Sequence, residues 1–379
     1  MIYLDNAATS FPKPIEVTNS ITNAILKNGA NPGRSGHKFS IKTAACIYEC
    51  RKILADFFGA SGPQCVIFTL NCTHAINMVL KGFLNPGDHV VISCLEHNSV
   101  IRPLKNLCDT RGIFYSKAEV FCGDGNKTVS SFSNKMNKKT KLIACLHASN
   151  VWGIKLPIEK LADLAHNFGA QILVDAAQTA GISEINIKKN KIDYLCISGH
   201  KGLYGPMGTG VLITECSENL NTILQGGTGI NSASLEQPDD GPEKFEIGTI
   251  NVPGILGLKS GLDFVNKIGI KKIAEYENNL MLYLYKNLKD NKAIKLYTEE
   301  PTMSSFIPII SFNVLDKKSE EISYFLDKHD ICVRSGLHCS PMAHNSFKTA
   351  CQGAVRISPS VFTTQKDVNR ALELIEEFV

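Results

Sequence analysis

Several signals that would place this 379-residue sequence quickly are missing from it. No apolar run approaches the about 18 residues a membrane-spanning helix needs, and the start, Met1-Ile2-Tyr3-Leu4-Asp5, has no basic stretch followed by an apolar segment. These absences predict a soluble, cytoplasmic chain with no membrane partner. No arginine-rich run stands out and the net charge of +4 is mild, which argues against a nucleic-acid partner. Internal repeats and low-complexity tracts are absent. Thirteen cysteines occur without one Cys-x-x-Cys pair, an odd number spread along the chain. That pattern speaks against a disulfide framework and for a reducing compartment. Cys46 and Cys50 lie four apart on a predicted helix with no histidine near, so core packing explains them better than a metal, and no metal site is expected.

What is present is an alternation of strand and helix signals. Pro14 to Asn28 reads as a helix closed by Gly29, and Ser40 reads as the cap of a helix running to Phe58 and closed by Gly59. Strands are predicted over 65–69, 89–93, 141–146, 171–175, 192–197 and 209–214, with helices over 73–81, 98–111 and 157–168 between them. This order predicts βαβ units on a mostly parallel sheet covered on both faces. The stretch from Leu224 to Pro253 mixes glycine, proline and acidic residues, and reads as an ordered functional loop or a domain junction. Beyond it, helices near 254–267, 270–290, 319–329 and 364–378 alternate with strands over 305–314, 331–334 and 354–358. That second block is smaller and α+β in character.

Two strands end in chemistry. Val174-Asp175-Ala176-Ala177-Gln178 follows one buried run and Ser198-Gly199-His200-Lys201-Gly202 follows the next. In open α/β sheets ligands bind at the carboxyl ends of the strands. One carboxylate and one amine delivered to a single crevice is what a pyridoxal phosphate (PLP) enzyme requires: the lysine joins the cofactor's aldehyde, and the aspartate keeps the ring nitrogen protonated. A solvated lysine and a helix-capping aspartate are the bland alternatives. Thr73 opens a predicted helix after strand 65–69, where amides and hydroxyl suit a phosphate, although capping alone would also explain it. Downstream, Arg334-Ser335-Gly336-Leu337-His338-Cys339 puts a thiol beside an imidazole in a glycine-punctuated loop, which suggests sulfur chemistry with His338 or a cofactor raising the thiolate population.

With these segments stand Tyr3 to Thr9, Thr73-His74-Ala75-Ile76-Asn77, Glu96-His97-Asn98, Ser149-Asn150-Val151-Trp152-Gly153, Phe245 to Asn251 and Val355-Arg356. As an ordered set covering nearly the whole chain, they resemble the class V aminotransferase-type PLP enzymes, specifically the Suf-like cysteine desulfurases and their selenocysteine lyase relatives. The resemblance implies an α/β chain of the PLP-dependent transferase fold type I, with a large domain over 14–253 and a small one made of 1–13 and 254–379. It implies pyridoxal 5'-phosphate as cofactor, joined to Lys201, with Asp175 at the ring nitrogen and Gln178 at the phenolic oxygen. Thr73, His74, Ser198 and His200 would hold the phosphate region, and Thr249 would reach the phosphate of a partner subunit. His97 would stack on the ring and move protons, including that of the substrate thiol. Asn150 would lie near cofactor and substrate, Arg356 would grip the substrate carboxylate, Arg334 would support the loop, and His37 would stand near the acceptor entrance. Cys339 would carry a persulfide.

The implied reaction takes sulfur from L-cysteine, leaves L-alanine, and passes the sulfur to an acceptor protein, in a homodimer. Selenocysteine lyase activity on L-selenocysteine, another β-lyase or transaminase, and a non-catalytic scaffold are the competing readings. Whether the sulfur serves iron–sulfur clusters, tRNA or a cofactor is open at this level. The chain departs from the family pattern at Cys72, His74, Trp152 and Ile250.

Overall fold

The computed structural model describes residues 1–32, 36–230, 233–239 and 241–379. Positions 231, 232 and 240, inside the stretch read as a functional loop or junction, lie outside the described residues. In chain order the strands are β1 (Ile2–Tyr3), β2 (Val66–Thr69), β3 (His89–Ser93), β4 (Phe114–Ala118), β5 (Thr140–Leu146), β6 (Gln171–Asp175), β7 (Tyr194–Ser198), β8 (Gly210–Thr214), β9 (Ile294–Leu296), β10 (Ile310–Val314), β11 (Ile331–Cys332) and β12 (Val355–Ile357). The helices are α1 (Ile15–Lys27), α2 (Lys38–Phe58), α3 (Cys72–Phe83), α4 (Asn98–Arg111), α5 (Gly125–Ser133), α6 (Ile158–Asn167), α7 (Val252–Ile268), α8 (Ile270–Lys289), α9 (Ser319–Lys328), α10 (Pro341–Ser346) and α11 (Gln365–Phe378).

Because the inner strands are buried at nearly every position, they need cover on both faces. The central sheet runs β2-β8-β7-β6-β5-β3-β4. Only β8 runs against the others, being antiparallel to both β7 and β2. Alternate residues of each strand supply two different cores: Val91, Ile143 and Val174 face one, while Val90, Ile92, Leu142 and Leu173 face the other together with α3 and α4. With one polarity shared by six strands, the turns after β2, β3, β5, β6 and β7 all emerge on a single edge. A second, antiparallel sheet of β9, β10 and β12 stands beside it, and β1 pairs in parallel with β11.

The differences from the sequence reading have local causes. The helix assigned to a Ser40 cap begins at Lys38, because His37 is the cap: its Nδ1 accepts the Ser40 N–H at 3.2 Å. Its far end is as expected, with Gly59 in the left-handed conformation at φ 68°. β4 escaped notice because it is an edge strand, half exposed, without apolar alternation. α5 is rich in Ser, Asn and Thr, which compete with helix, yet Asp124 caps it and Phe132 anchors it. The strand expected over 305–314 contracts to Ile310–Val314. Gly210 at the start of β8 allows the backbone of Asn71 to approach, since a Cβ there would stand 2.4 Å from the Asn71 carbonyl carbon.

The loop leading into α7 is locked by a buried ion pair. Arg51 on α2 bonds Glu246 through both terminal nitrogens, donates to the Val66 carbonyl at 2.6 Å and lies over the Phe68 ring; Glu246 also accepts the Phe68 N–H. Removing one member of such a pair leaves the other charge buried, which costs about 3–5 kcal/mol. Arg51→Met is therefore expected to lower the urea midpoint by an amount corresponding to about 3 kcal/mol. An unchanged midpoint would show that this pair does not hold the loop.

Candidate active site

The turns on the shared strand edge close around a cavity of about 250 Å³. From β2 comes the start of α3, where Asn71 is the cap and accepts the His74 N–H at 2.9 Å. Thr73 is thereby relieved of the capping role, and its side chain lines the cavity. β3 leads to His97, β5 to Asn150, β6 to Asp175 and Gln178, and β7 to Ser198, His200 and Lys201. Arg334 and Cys339 close the space from the loop after β11, and Arg356 from β12. A larger cleft of about 650 Å³ lies across β5 and contains none of these groups: alternation sends His147 into it, whereas Leu146 and Ala148 face the smaller cavity.

Asp175 is held at three points. Its Oδ1 accepts the Ala177 N–H at 2.9 Å and the Cys72 thiol at 3.3 Å, and its Oδ2 accepts the Ser99 hydroxyl at 3.4 Å. Burial, together with Asp175 and Cys196, raises the proton affinity of the Cys72 thiol well above the ordinary value, so it stays a donor. Lys201 shares the cavity. Burial first, and then the Arg356 cation, bring its amine down to about 8, with Asp175 opposing both.

Two of the imidazoles that line the cavity, His97 and His200, are neutral at pH 7. Burial brings His97 down to about 4; burial, Lys201 and Lys13 do the same for His200. His200 Nδ1 is engaged with Thr9 Oγ1 at 3.0 Å. His97 caps α4, its Nδ1 accepting the Ser99 N–H at 3.0 Å. The lone pair being used there, the ring proton of the neutral imidazole sits on Nε2, which is left as a donor. Accepting the substrate thiol proton, as the resemblance implied, would require this cap to break.

Arg356, 1% exposed, donates through Nη2 to Asp5 at 2.6 Å and through Nη1 to the Asn150 carbonyl at 2.8 Å; among the described residues its Nε has no partner. Asn150 donates to the His338 carbonyl at 2.8 Å and accepts from Ser340 at 2.7 Å. Gln178 donates to the Ala7 carbonyl at 3.0 Å. Cys339 is exposed, with Arg334 Nη2 at 3.9 Å from its sulfur, and its carbonyl accepts the Asn98 N–H beside His97.

Other expected residues stand elsewhere. His37 is spent on capping α2 and does not line the cavity. His74 accepts the Leu70 N–H at 3.3 Å and does not line it either. Thr249 is exposed on the surface beside Asn31, outside the cavity of its own chain. His338 does line the cavity, but its ring is buried and bonded to His344. Trp152 is packed on Phe347 and Tyr297 behind the site. Ser99 and Asp5 are groups to which sequence reasoning gave no role, and Cys72 was noted only as a departure from the family pattern. Ser99, two residues past His97, and Cys72, beside Thr73, were within reach of it; Asp5, 351 residues from Arg356, carried no such signal.

As a donor set, a carboxylate fixed by three donors opposite a lowered-affinity amine, with the α3 amides, Thr73, Ser198 and His200 at one end, fits a phosphorylated pyridine aldehyde. Comparison decides the family. Residues 2–371 match Aminotransferase class-V. The chain belongs to that family. Among class V relatives it is 35% identical to a probable cysteine desulfurase of Pyrococcus abyssi, covering 100% of this chain and 94% of the relative, and 31% identical to a cysteine desulfurase of Escherichia coli O8, covering 98% and 91%. The apo structure of the cysteine desulfurase from Thermococcus onnurineus NA1 superimposes with a TM-score of 0.93 at 34% identity, covering 100% of this chain and 94% of that one.

A lowered proton affinity means that the Lys201 amine becomes nucleophilic at lower pH than an ordinary lysine. In cofactor-free protein of this class V chain, acetylation of Lys201 followed by peptide mass should reach half its maximal rate near pH 8. A midpoint at about 10.4, where free lysines titrate, would contradict the electrostatics of the cavity.

Proposed function

We propose that this chain is a pyridoxal 5'-phosphate-dependent cysteine desulfurase that moves the sulfur of L-cysteine onto Cys339, releases L-alanine and hands the sulfur to an acceptor protein. The observation that carries this is one cavity shared by Lys201, Asp175, Arg356 and the exposed thiol of Cys339. When bound, the cofactor supplies an electron sink for charge developing at the substrate Cα.

The chain's own residues would divide the remaining work. Lys201 Nζ holds the cofactor and then moves the Cα proton, for which an affinity near 8 suits neutral pH. Asp175, fixed by Cys72, Ser99 and Ala177, balances a cationic ring nitrogen. Gln178 serves the phenolic oxygen, and Thr73, Ser198 and His200 receive the phosphate. His97 offers a ring face and an Nε2–H donor. Arg356 binds the substrate carboxylate in place of, or beside, Asp5, with Asn150 locking the cavity wall. The Cys339 thiolate, next to Arg334, attacks the substrate sulfur: an S–S bond forms and the C–S bond breaks with its electron pair remaining on carbon, which takes up protons to give alanine.

A homodimer is supported by apolar side chains left exposed on α1 and α2, namely Ile15, Ile25, Leu26, Phe39, Ile41 and Tyr48, and by Thr249 lying on the surface where a second subunit can use it. The large unit over 14–253 and the small unit of 1–13 with 254–379 belong to the same proposal, supported by the pairing of β1 with β11. Among the described residues no helix is long and apolar enough to cross a membrane, and a cytoplasmic site of action remains our reading.

The test is alanine release by the purified, cofactor-loaded protein given L-cysteine. Cys339→Ala should lower it by about 100-fold or more while L-cysteine still shifts the cofactor absorbance. Full turnover by that variant would remove Cys339 from the reaction, and no alanine from the unmodified protein would remove the function.

A further inference from the structure

Behind Cys339 lies a buried chain of polar groups that neither the cofactor set nor the substrate set uses. His338 and Cys339 are consecutive non-glycine residues in the left-handed region, at φ 52° and 58°. Two such residues in a row persist only where the surroundings over-determine them. The backbone on either side is tied: the His338 carbonyl accepts from Asn150, the Cys339 carbonyl accepts from Asn98, and Ser340 donates to Asn150. The side chain of His338 needs its own hold.

That hold runs through His344 on α10. Thr349 Oγ1 lies 2.7 Å from His344 Nδ1, His344 Nε2 lies 3.3 Å from His338 Nδ1, and His338 Nε2 lies 3.5 Å from the Arg334 carbonyl. Assigning protons along the chain leaves one consistent arrangement from its far end. The Arg334 carbonyl can only accept, so His338 Nε2 carries a proton and its Nδ1 accepts. His344 Nε2 then donates to it, and His344 Nδ1 accepts the Thr349 hydroxyl. Every member is satisfied with both rings neutral. Burial lowers His338 to about 2 and His344 to about 4, in keeping with that state. His344 and Thr349 are fully buried, the two imidazoles lie nearly parallel at 5.5 Å, and Trp152 backs the His344 ring at 5.4 Å.

We propose that His344 is a positioning residue for sulfur transfer: through its hydrogen bond to His338 it fixes the left-handed His338–Cys339 backbone and so keeps the Cys339 sulfur beside Arg334 at the cavity mouth. The proposal rests on Cys339 being the sulfur acceptor. The Arg334 carbonyl at the end of the chain also accepts the Arg356 N–H at 2.7 Å, so the same bonds register the cysteine loop against the strand that carries the proposed carboxylate clamp.

Two variants of the holoenzyme separate hydrogen bonding from packing. His344→Phe keeps an aromatic plate against Trp152 but cannot donate to His338, and His344→Gln retains a donor in that direction. Because small misplacements of a reacting atom are costly, His344→Phe should lower kcat for alanine release by about tenfold or more with KM for L-cysteine within about threefold, and His344→Gln should recover most of that loss. Emission from Trp152, the one tryptophan of the chain, reports whether the surrounding packing survives. Where it does not survive in His344→Phe, Thr349→Val, which removes only the hydroxyl donor, takes its place with the same expected split between kcat and KM. A wild-type kcat in the well-packed variant, or a glutamine variant as poor as phenylalanine with native emission, overturns the proposal. The rate of Cys339 alkylation by iodoacetamide, followed by peptide mass without L-cysteine, should change by about threefold in His344→Phe as the sulfur leaves its fixed place beside Arg334; an unchanged rate also overturns it. This second readout stands even if the unmodified protein releases no alanine, in which case the desulfurase reading falls and the positioning role is still decided.

Discussion

Placing the Lys201 and Arg356 cations together in one small cavity, which Arg334 closes, is the constraint around which this molecule is arranged. Removing a guanidinium and an ammonium from water is expensive, and the site treats the two differently. Arg356 cannot shed its proton under any ordinary condition, so it must be given a counter-charge, and Asp5 is brought from the far end of the chain to provide it. The parallel pairing of β1 with β11 and the backbone bridge from Asp5 to Ser358 are what deliver that carboxylate. Among the described residues Lys201 receives no such partner. Asp175 offsets part of the cost, but burial and the nearby guanidinium outweigh it, and the amine yields by losing proton affinity. The paired cation is suited to gripping an anion and the unpaired one to acting as a nucleophile.

Strand polarity gathers these groups. Six strands of the central sheet share a direction, and the loops that carry Thr73, His97, Asn150, Asp175 and Lys201 leave it on one edge although they are spread over about a third of the sequence. Most of that was legible, since buried strands announce themselves as apolar runs and the residues that follow them are then known to meet. What was hidden is instructive. β4 has no alternation because an edge strand needs none, and α5 is helical through its cap and packing against its own propensities. The Cys72 and Ser99 bonds to Asp175 join residues at the ends of α3, α4 and β6, and only a three-dimensional register reveals them.

The histidines were the least readable residue type, for one physical reason. Both His37 and His97 serve as helix caps through Nδ1, a task that sequence preference assigns to Ser, Thr, Asp or Asn. His37 is thereby withdrawn from the site, whereas His97 remains in the cavity with its tautomer already chosen. A cap that consumes Nδ1 puts the ring proton on Nε2, so what reaches the cavity is a donor and a flat face. On the proposed reading, a group that must accept a proton near the substrate Cα has to be found elsewhere among the residues lining the cavity. His200 is bonded to Thr9 at Nδ1 and is equally reluctant to charge, and three donors already hold Asp175, leaving one acceptor position on its carboxylate. Lys201 is the group left with a proton affinity near neutrality and a side chain long enough to move, and it stands where the cost of burying its charge has already been used to make it a base.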